Sequence, residues 1–213
     1  VAVGTLLALA RGRAPLEVDC WLALTENEIG PRAYRPQEVV RAMNGVTIQV
    51  VHSDAEGRMV LADTLALASR TKPALLLDFA TLTGACVNAL TERYSGAFTN
   101  STALEAPLQE TGRASGERVW CFPMDPDFDA ELDSPIADVM QCSLESKGDH
   151  ILAARFLSRF VPKDLPWAHI DLSSSERKGG LAHVPTEFTG FGVRFAAHLL
   201  GDGRLLDHLE SRQ

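Results

Sequence analysis

Strand-length apolar runs that alternate with helical patterns are the feature of this sequence that most restricts its fold. Three such runs are predicted to be buried strands, at 18–24, 74–80 and 167–172. Helical patterns are predicted at 1–10, 57–70, 149–160 and 191–200. This alternation favours parallel strands covered by helices on both faces. The sequence therefore predicts an α/β fold, a three-layer α/β/α sandwich around a mixed, mainly parallel central sheet, in a single domain over residues 1–213.

Turn-forming residues divide these elements. Asn44 and Gly45 lie between two runs rich in β-branched residues, and an Asn-Gly pair in that position is the strongest short signal for a β-hairpin. Stretches rich in Gly, Pro, Ser or Asp are predicted to be loops, at 25–36, 117–134 and 173–190. A polar tail is expected after residue 200.

Composition excludes several classes of protein. The chain carries 20 basic and 28 acidic residues, a formal net charge of −8, so it has no basic face for nucleic acid. Its apolar runs reach only about ten residues, too short to span a bilayer. The four cysteines contain no Cys-x-x-Cys pair, so we expect reduced thiols and a cytoplasmic location.

Residues 53–58, Ser-Asp-Ala-Glu-Gly-Arg, are hereafter called the acidic turn, and they carry the clearest chemical signal. They lie where a predicted strand ends and a helix begins, the place where α/β sheets bind ligands. Asp54 and Glu56 are two residues apart, so a locally extended backbone would point both carboxylates the same way. Oxygen donors of this kind suit a divalent metal, and Arg58 can neutralise an anion beside it.

The same residues also fit a purely structural role. Ser53 and Glu56 have the spacing of a capping box, in which each side chain satisfies a free backbone N–H at a helix start. Asp54 would then be favoured by the helix dipole. Spacing alone favours this capping interpretation and does not decide between the two.

Several blocks of the chain closely resemble the leucyl aminopeptidase, or cytosol aminopeptidase, family. The acidic turn is similar to that family's Asn-Thr-Asp-Ala-Glu-Gly-Arg motif, with His52 and Ser53 in place of Asn and Thr. The other blocks follow in the family's order, at 42–45, 61–63, 80–85, 137–138, 167–171 and 189–194. The resemblance covers nearly the whole chain, which is expected to be the C-terminal part of a catalytic domain.

The resemblance implies a two-metal aminopeptidase that removes N-terminal amino acids from peptides. Asp54 and Glu56 would ligate the metal pair, zinc or manganese, with Glu56 bridging both ions. Arg58 would be the catalytic arginine that holds a bicarbonate acting as general base. Backbone groups of Thr81, Leu82, Thr83 and Gly84 would bind the peptide. Family members form hexamers, so a homo-oligomer is expected.

The chain also departs from the family pattern. The resemblance implies further ligands, a Lys and an Asp separated by four residues, a further Asp and a second Lys, all upstream of the helix at 1–10. The chain has only four lysines, and Lys147 does not reproduce that spacing. We therefore expect an incomplete metal site and doubt that this chain alone is active. A non-enzymatic assembly role and a Mg²⁺ phosphoryl-transfer domain remain alternatives, although the latter lacks a Gly-Lys-Ser/Thr phosphate loop.

Three other polar residues, His169, Asp171 and His150, are further candidates for the site. His169 and Asp171 alternate on one predicted strand, and the favoured interpretation is that both hydrogen-bond to neighbouring loops in the core. The family usually has glycines ahead of the helix at 149–160, where this chain has a more polar segment. His150 could contact substrate there, although a capping region led by Asp149 is favoured.

Overall fold

A computed structural model describes residues 1–210 of the chain. Its helices are α1 (Ala2–Gly12), α2 (Glu56–Ala68), α3 (Gly84–Leu90), α4 (Thr102–Ser115), α5 (Asp149–Ser158), α6 (Val193–Leu200) and α7 (Arg204–Glu210). Its strands are β1 (Val39–Arg41), β2 (Thr47–Gln49), β3 (Leu76–Ala80), β4 (Ser95–Thr99), β5 (Val119–Cys121), β6 (Val139–Met140) and β7 (Trp167–Asp171).

The strands form two mixed sheets. One has the order β1-β2-β6, in which β2 pairs antiparallel with β1 and parallel with β6. The other has the order β3-β7-β4-β5, with parallel β3–β7 and β4–β5 pairs and an antiparallel β4–β7 pair. The predicted α/β class and the mixed, mainly parallel pairing are thus confirmed, with the strands divided between two sheets.

Helices cover both faces of the four-stranded sheet. On one face Ala168 and Ile170 of β7 pack with Leu104 of α4 and Phe195 of α6. On the other face Trp167 belongs to the apolar cluster that includes Phe156 of α5. Because neighbouring strand residues point to opposite faces, β7 is buried on both sides.

The predicted hairpin is present. Val40 pairs with Ile48, and Gly45 takes a positive φ of 94° in the turn between β1 and β2. Glycine adopts this backbone conformation without steric cost, which explains the Asn-Gly signal. The hairpin leads β2 directly into the acidic turn.

Three sequence predictions were wrong. Residues 18–24 form no strand, and Trp21 and Leu24 are 41% and 83% exposed. A strand needs a neighbour for its backbone groups, and within residues 1–210 this segment has none. The stretch 117–134 holds β5 and a 3₁₀ helix, Pro126–Leu132, besides loop. The tail after residue 200 contains α7, and residues 211–213 lie outside the described part.

Strand β4 has no apolar run that would have predicted it. Its sequence is Ser-Gly-Ala-Phe-Thr, and all five residues are buried. A Cβ atom added at Gly96 would lie 2.6 Å from Sγ of Cys86. Close packing of β4 against α3 therefore requires the small residue that weakens the strand pattern.

None of the helices found in residues 1–210 is long and apolar enough to cross a membrane. The four cysteines are all free thiols, as the sequence predicts. Burial raises the pKa of the Cys86 thiol to about 11, so this cysteine stays protonated at neutral pH.

Candidate active site

The acidic turn follows β2 as a single turn of 3₁₀ helix, Ser53–Ala55, that continues into α2. The ring Nδ1 of His52 accepts a hydrogen bond from the backbone N–H of Asp54, at 3.1 Å. His52 therefore caps this start, and the predicted capping box of Ser53 and Glu56 is wrong. Sequence reasoning missed this because it tested only the Ser-x-x-Glu spacing.

Both carboxylates of the acidic turn are left available. Asp54 is exposed and Glu56 is half-buried. Within residues 1–210 neither carboxylate forms an ion pair or a hydrogen bond, although the turn around them is well ordered by backbone contacts. Unpaired carboxylate oxygens of this kind are able to serve as ligands for a bound cation.

A buried glutamine braces the turn from the neighbouring strand. Gln141 directly follows β6 and is fully buried. Its Oε1 accepts hydrogen bonds from the N–H groups of Val51 and His52, both at 3.0 Å. Its Nε2 donates to the carbonyl of Ala55 at 2.9 Å. One side chain therefore fixes the backbone on both sides of Asp54, a role no sequence motif indicated.

Arg58 is 3% exposed and its guanidinium is held by Asp149. The two terminal nitrogens of Arg58 donate to Oδ1 of Asp149 at 3.1 Å, and one of them also donates to Oδ2 at 3.0 Å. A further bond reaches the Gln141 carbonyl at 3.3 Å. Asp149 lies in the first turn of α5, but its carboxylate pairs with Arg58 and makes no capping bond. The capping interpretation of Asp149 was therefore wrong.

The predicted substrate loop, Thr81 to Gly84, connects β3 to α3. Thr83 is the N-cap of α3, and its Oγ1 accepts a hydrogen bond from the N–H of Cys86 at 3.1 Å. The loop also approaches the acidic turn, because Cδ1 of Leu82 lies 3.6 Å from the position that a Cβ on Gly57 would take. The structure thus brings Gly57 of the acidic turn into contact with Leu82 of the predicted substrate loop.

Asp171 fastens the substrate loop from the end of β7. Its Oδ1 accepts from the N–H groups of Leu82 and Thr83 at 3.0 and 3.3 Å. Its Oδ2 accepts from the Thr83 hydroxyl at 2.7 Å. Asp171 is 1% exposed, so these bonds are shielded from water. The prediction that Asp171 serves a neighbouring loop is confirmed.

His169 has a separate partner and does not pair with Asp171. Its Nδ1 lies 2.6 Å from Oδ1 of Asp78, whose Oδ2 accepts from Nε1 of Trp167 at 2.7 Å. Burial alone would lower the pKa of His169, but the Asp78 carboxylate outweighs burial and the pKa is raised. His169 therefore has the predicted structural role in the core, but its partner lies on the neighbouring strand β3 and not on a loop.

His150 packs against aromatic rings at the start of α5. Its ring centroid lies 4.5 Å from that of Phe122 in an edge-on arrangement. Burial lowers the pKa of His150, and the carboxylates of Asp171 and Asp149 oppose this effect. The half-buried His150 is thus held by aromatic packing, and a contact with substrate stays a prediction.

The site has too few donors for a closed metal centre. Among the residues that the structure describes, no three His, Cys, Asp or Glu side chains come together as a metal-binding group. Asp54 and Glu56 supply two oxygen ligands, while divalent ions take about four to six donors. That the metal site is incomplete stays a prediction.

Comparison with known proteins places these features in context. Residues 1–197 match the cytosol aminopeptidase family, catalytic domain. The chain is 41% identical over 204 residues to a probable cytosol aminopeptidase of Phytoplasma australiense, covering 94% of this chain and 41% of that protein. It is likewise 41% identical over 202 residues to one of Rhodopseudomonas palustris, covering 94% and 40%. The chain thus spans about two fifths of the length of these relatives.

Solved structures give the same picture. A mutant of tomato leucine aminopeptidase superposes with a TM-score of 0.76 at 35% identity, over 82% of this chain and 34% of that chain. The bottromycin maturation enzyme BotP, in complex with Mn, superposes with a TM-score of 0.73 at 39% identity, over 78% and 37%. Both the fold and the order of the site segments agree with these proteins.

Proposed function

The chain belongs to the cytosol aminopeptidase family, and we propose that it carries the acidic-turn half of a two-metal aminopeptidase site. The reaction is hydrolysis of the N-terminal peptide bond of peptides. The observation that carries the proposal is the acidic turn itself, which holds the unpaired carboxylates of Asp54 and Glu56 and contacts Leu82 of the substrate loop through Gly57. A turn that only started a helix would not need two braces, Gln141 and His52, and two free carboxylates.

The donor set fits divalent metal ions in kind. Carboxylate oxygens suit manganese and also bind zinc, and the structurally similar BotP is in complex with Mn. Asp54 and Glu56 would hold the ions, with Glu56 shared between them, and further donors would come from outside the chain. Bound ions would supply an activated water and polarise the scissile carbonyl.

The residues of this chain have the remaining tasks. Backbone groups of Thr81 to Gly84 orient the peptide, because Asp171 fixes the N–H groups of Leu82 and Thr83 in place. Leu82 of the loop packs against Gly57 at the start of α2, which excludes water from that side of the site. Orientation of this kind converts a bimolecular attack into a positioned one.

We further propose that the protein works in the cytoplasm as a homo-oligomer, a hexamer by resemblance, with peptides as substrates. The names of the relatives as cytosol aminopeptidases support the location. The apolar residues exposed at Trp21, Leu22 and Leu24 support burial against another polypeptide segment.

A second candidate is a catalytically incomplete relative with a role in assembly. The observation that favours it is the count of only two metal-binding carboxylates within the part of the chain described. In that case the acidic turn would bind no metal, and the fold alone would serve.

A Mn²⁺ titration by calorimetry separates the two candidates. We expect saturable binding by the chain and about tenfold weaker binding after Glu56→Gln, because each lost charged ligand costs on the order of 1.4 kcal/mol. Glu110→Gln on α4 removes an exposed carboxylate elsewhere and should leave the affinity unchanged. Equal affinities for all three proteins would refute the metal proposal. Turnover of a leucine arylamide would in addition exclude the assembly role.

A further inference from the structure

Arg58 is an arginine whose two terminal nitrogens already have partners in the folded chain. They make four hydrogen bonds, three to the Asp149 carboxylate and one to the carbonyl of Gln141. The Nε–H is buried and meets no acceptor among residues 1–210. The end of the guanidinium that would meet an incoming anion is therefore occupied by Asp149.

Asp149 is well placed to remain the partner of the Arg58 guanidinium. It lies in the first turn of α5, where the helix dipole favours a negative charge. Its carboxylate meets Arg58 in a two-pronged contact, and its side chain is 27% exposed. A carboxylate fixed on the folded chain also competes at a far higher effective concentration than a free anion at millimolar levels.

The residues present do not fit a bicarbonate held by Arg58, the role that the family resemblance implies. We propose instead that Asp149 is the resident anion of Arg58, so that this chain carries an internal carboxylate where its family would hold an exchangeable one. This inference rests on the proposed function, because Arg58 belongs to the proposed aminopeptidase site.

The bond pattern predicts which change would open an anion site. Removing the Asp149 side chain frees three hydrogen bonds of Arg58 and leaves a buried positive charge without its partner. Such a site should take a small anion with one planar carboxylate-like face, such as bicarbonate or formate. The unmodified chain should take neither.

The test is thermal unfolding in sodium bicarbonate or sodium formate against sodium chloride, at equal ionic strength and pH, with EDTA present. We expect no difference for the unmodified chain, and for Asp149→Ala a lower Tm in chloride that rises by about 3 °C at an anion concentration ten times its Kd. Glu145→Ala removes an exposed carboxylate paired with Lys147 and should behave as the unmodified chain does. The double variant Arg58→Met/Asp149→Ala should lose the rise.

Two results would overturn the inference. One is a bicarbonate-specific rise in the unmodified chain as large as that of the variant. The other is no anion-specific rise in Asp149→Ala or, if that variant does not fold, in Asp149→Ser, which also vacates the space of the carboxylate. Because EDTA removes metal and no turnover is measured, these outcomes are separate from the Mn²⁺ titration, and either proposal can fail alone.

Discussion

The acidic turn and the substrate loop share the same kind of backbone support but differ in which polar groups are left free. Each follows a β-strand, begins a helix and is braced by one buried polar side chain, Gln141 for the turn and Asp171 for the loop. In the substrate loop, Asp171 accepts hydrogen bonds from the N–H groups and the hydroxyl of the loop. These bonds occupy both oxygens of its carboxylate. In the acidic turn the brace, Gln141, is neutral, and the carboxylates of Asp54 and Glu56 remain free.

The choice of brace has an electrostatic reason. A charged brace beside Asp54 and Glu56 would add a third negative charge to the two already there. A glutamine offers both an acceptor and a donor without that penalty. The substrate loop is therefore held rigid, whereas the acidic turn keeps two carboxylates available for binding. Variants that remove each of these side chains test this difference.

The largest effect is expected from Asp171→Ala. The change leaves two N–H groups and one hydroxyl of the substrate loop without their buried acceptor, so we expect the free energy of unfolding to fall by about 4 kcal/mol. Denaturant unfolding measures the loss.

Asp138 provides the matched control for that variant. It accepts equivalent bonds from the N–H and hydroxyl of Thr47, but it is exposed to solvent. Asp138→Ala should therefore cost much less. Equal losses for the two variants would show that burial of the Asp171 contacts does not matter.

A smaller effect is expected from Gln141→Leu. The apolar side chain leaves the N–H groups of Val51 and His52 without an acceptor, but both lie nearer to solvent than the substrate loop, so the expected loss is about 2–3 kcal/mol. Mn²⁺ affinity should fall as well. Gln109→Leu, at a half-buried position on α4, should change neither quantity. A loss in Gln141→Leu no greater than in that control would show that Gln141 does not brace the acidic turn.

A third prediction concerns pH and the anchor of the strand before the substrate loop. The raised pKa of His169 means that the folded chain holds this proton more tightly than the unfolded chain. The resulting stabilisation is complete below the unfolded pKa of about 6.5 and is lost as pH rises through the higher folded value. Each unit of pKa difference corresponds to about 1.4 kcal/mol.

Comparison of the chain with His169→Gln across pH isolates that contribution. The stability advantage of the unmodified chain should be larger at pH 6 than at pH 9. An advantage that grows with pH would mean that the buried histidine is neutral at both values.

The smallest effect is expected from the acidic turn itself. With metal removed by EDTA, the double variant Asp54→Asn/Glu56→Gln should keep its free energy of unfolding within about 0.5 kcal/mol, because neither carboxylate has a partner to lose. Urea unfolding checks this. A loss comparable to that of Asp171→Ala would assign both carboxylates a structural role and end the contrast between turn and loop.

Local patterns predicted those parts of the molecule that local physics determines. The Asn44–Gly45 turn, α2 and α5 follow from residue spacing, and the acidic turn follows from its residues. The strand at 18–24 was wrong because strand formation depends on a partner, which apolar composition does not report.

The decisive contacts of the site join residues far apart in the chain. Arg58 and Asp149, or Gln141 and the turn it braces, are separated by more than eighty residues. No spacing rule connects such pairs, so their roles emerge only when α5 and β6 are placed beside α2. The identity of the acidic turn was readable from sequence, whereas its supports were not.

The central claim is that Asp54 and Glu56 hold a divalent ion beside the substrate loop. Paramagnetic broadening by Mn²⁺ of the backbone amide NMR signals tests it most directly. We expect selective broadening at residues 52–58 and 81–84, with α4 on the opposite face of the four-stranded sheet least affected. We expect this pattern to be lost in the double variant Asp54→Asn/Glu56→Gln. Broadening that is centred elsewhere, or that survives in the double variant, would contradict it.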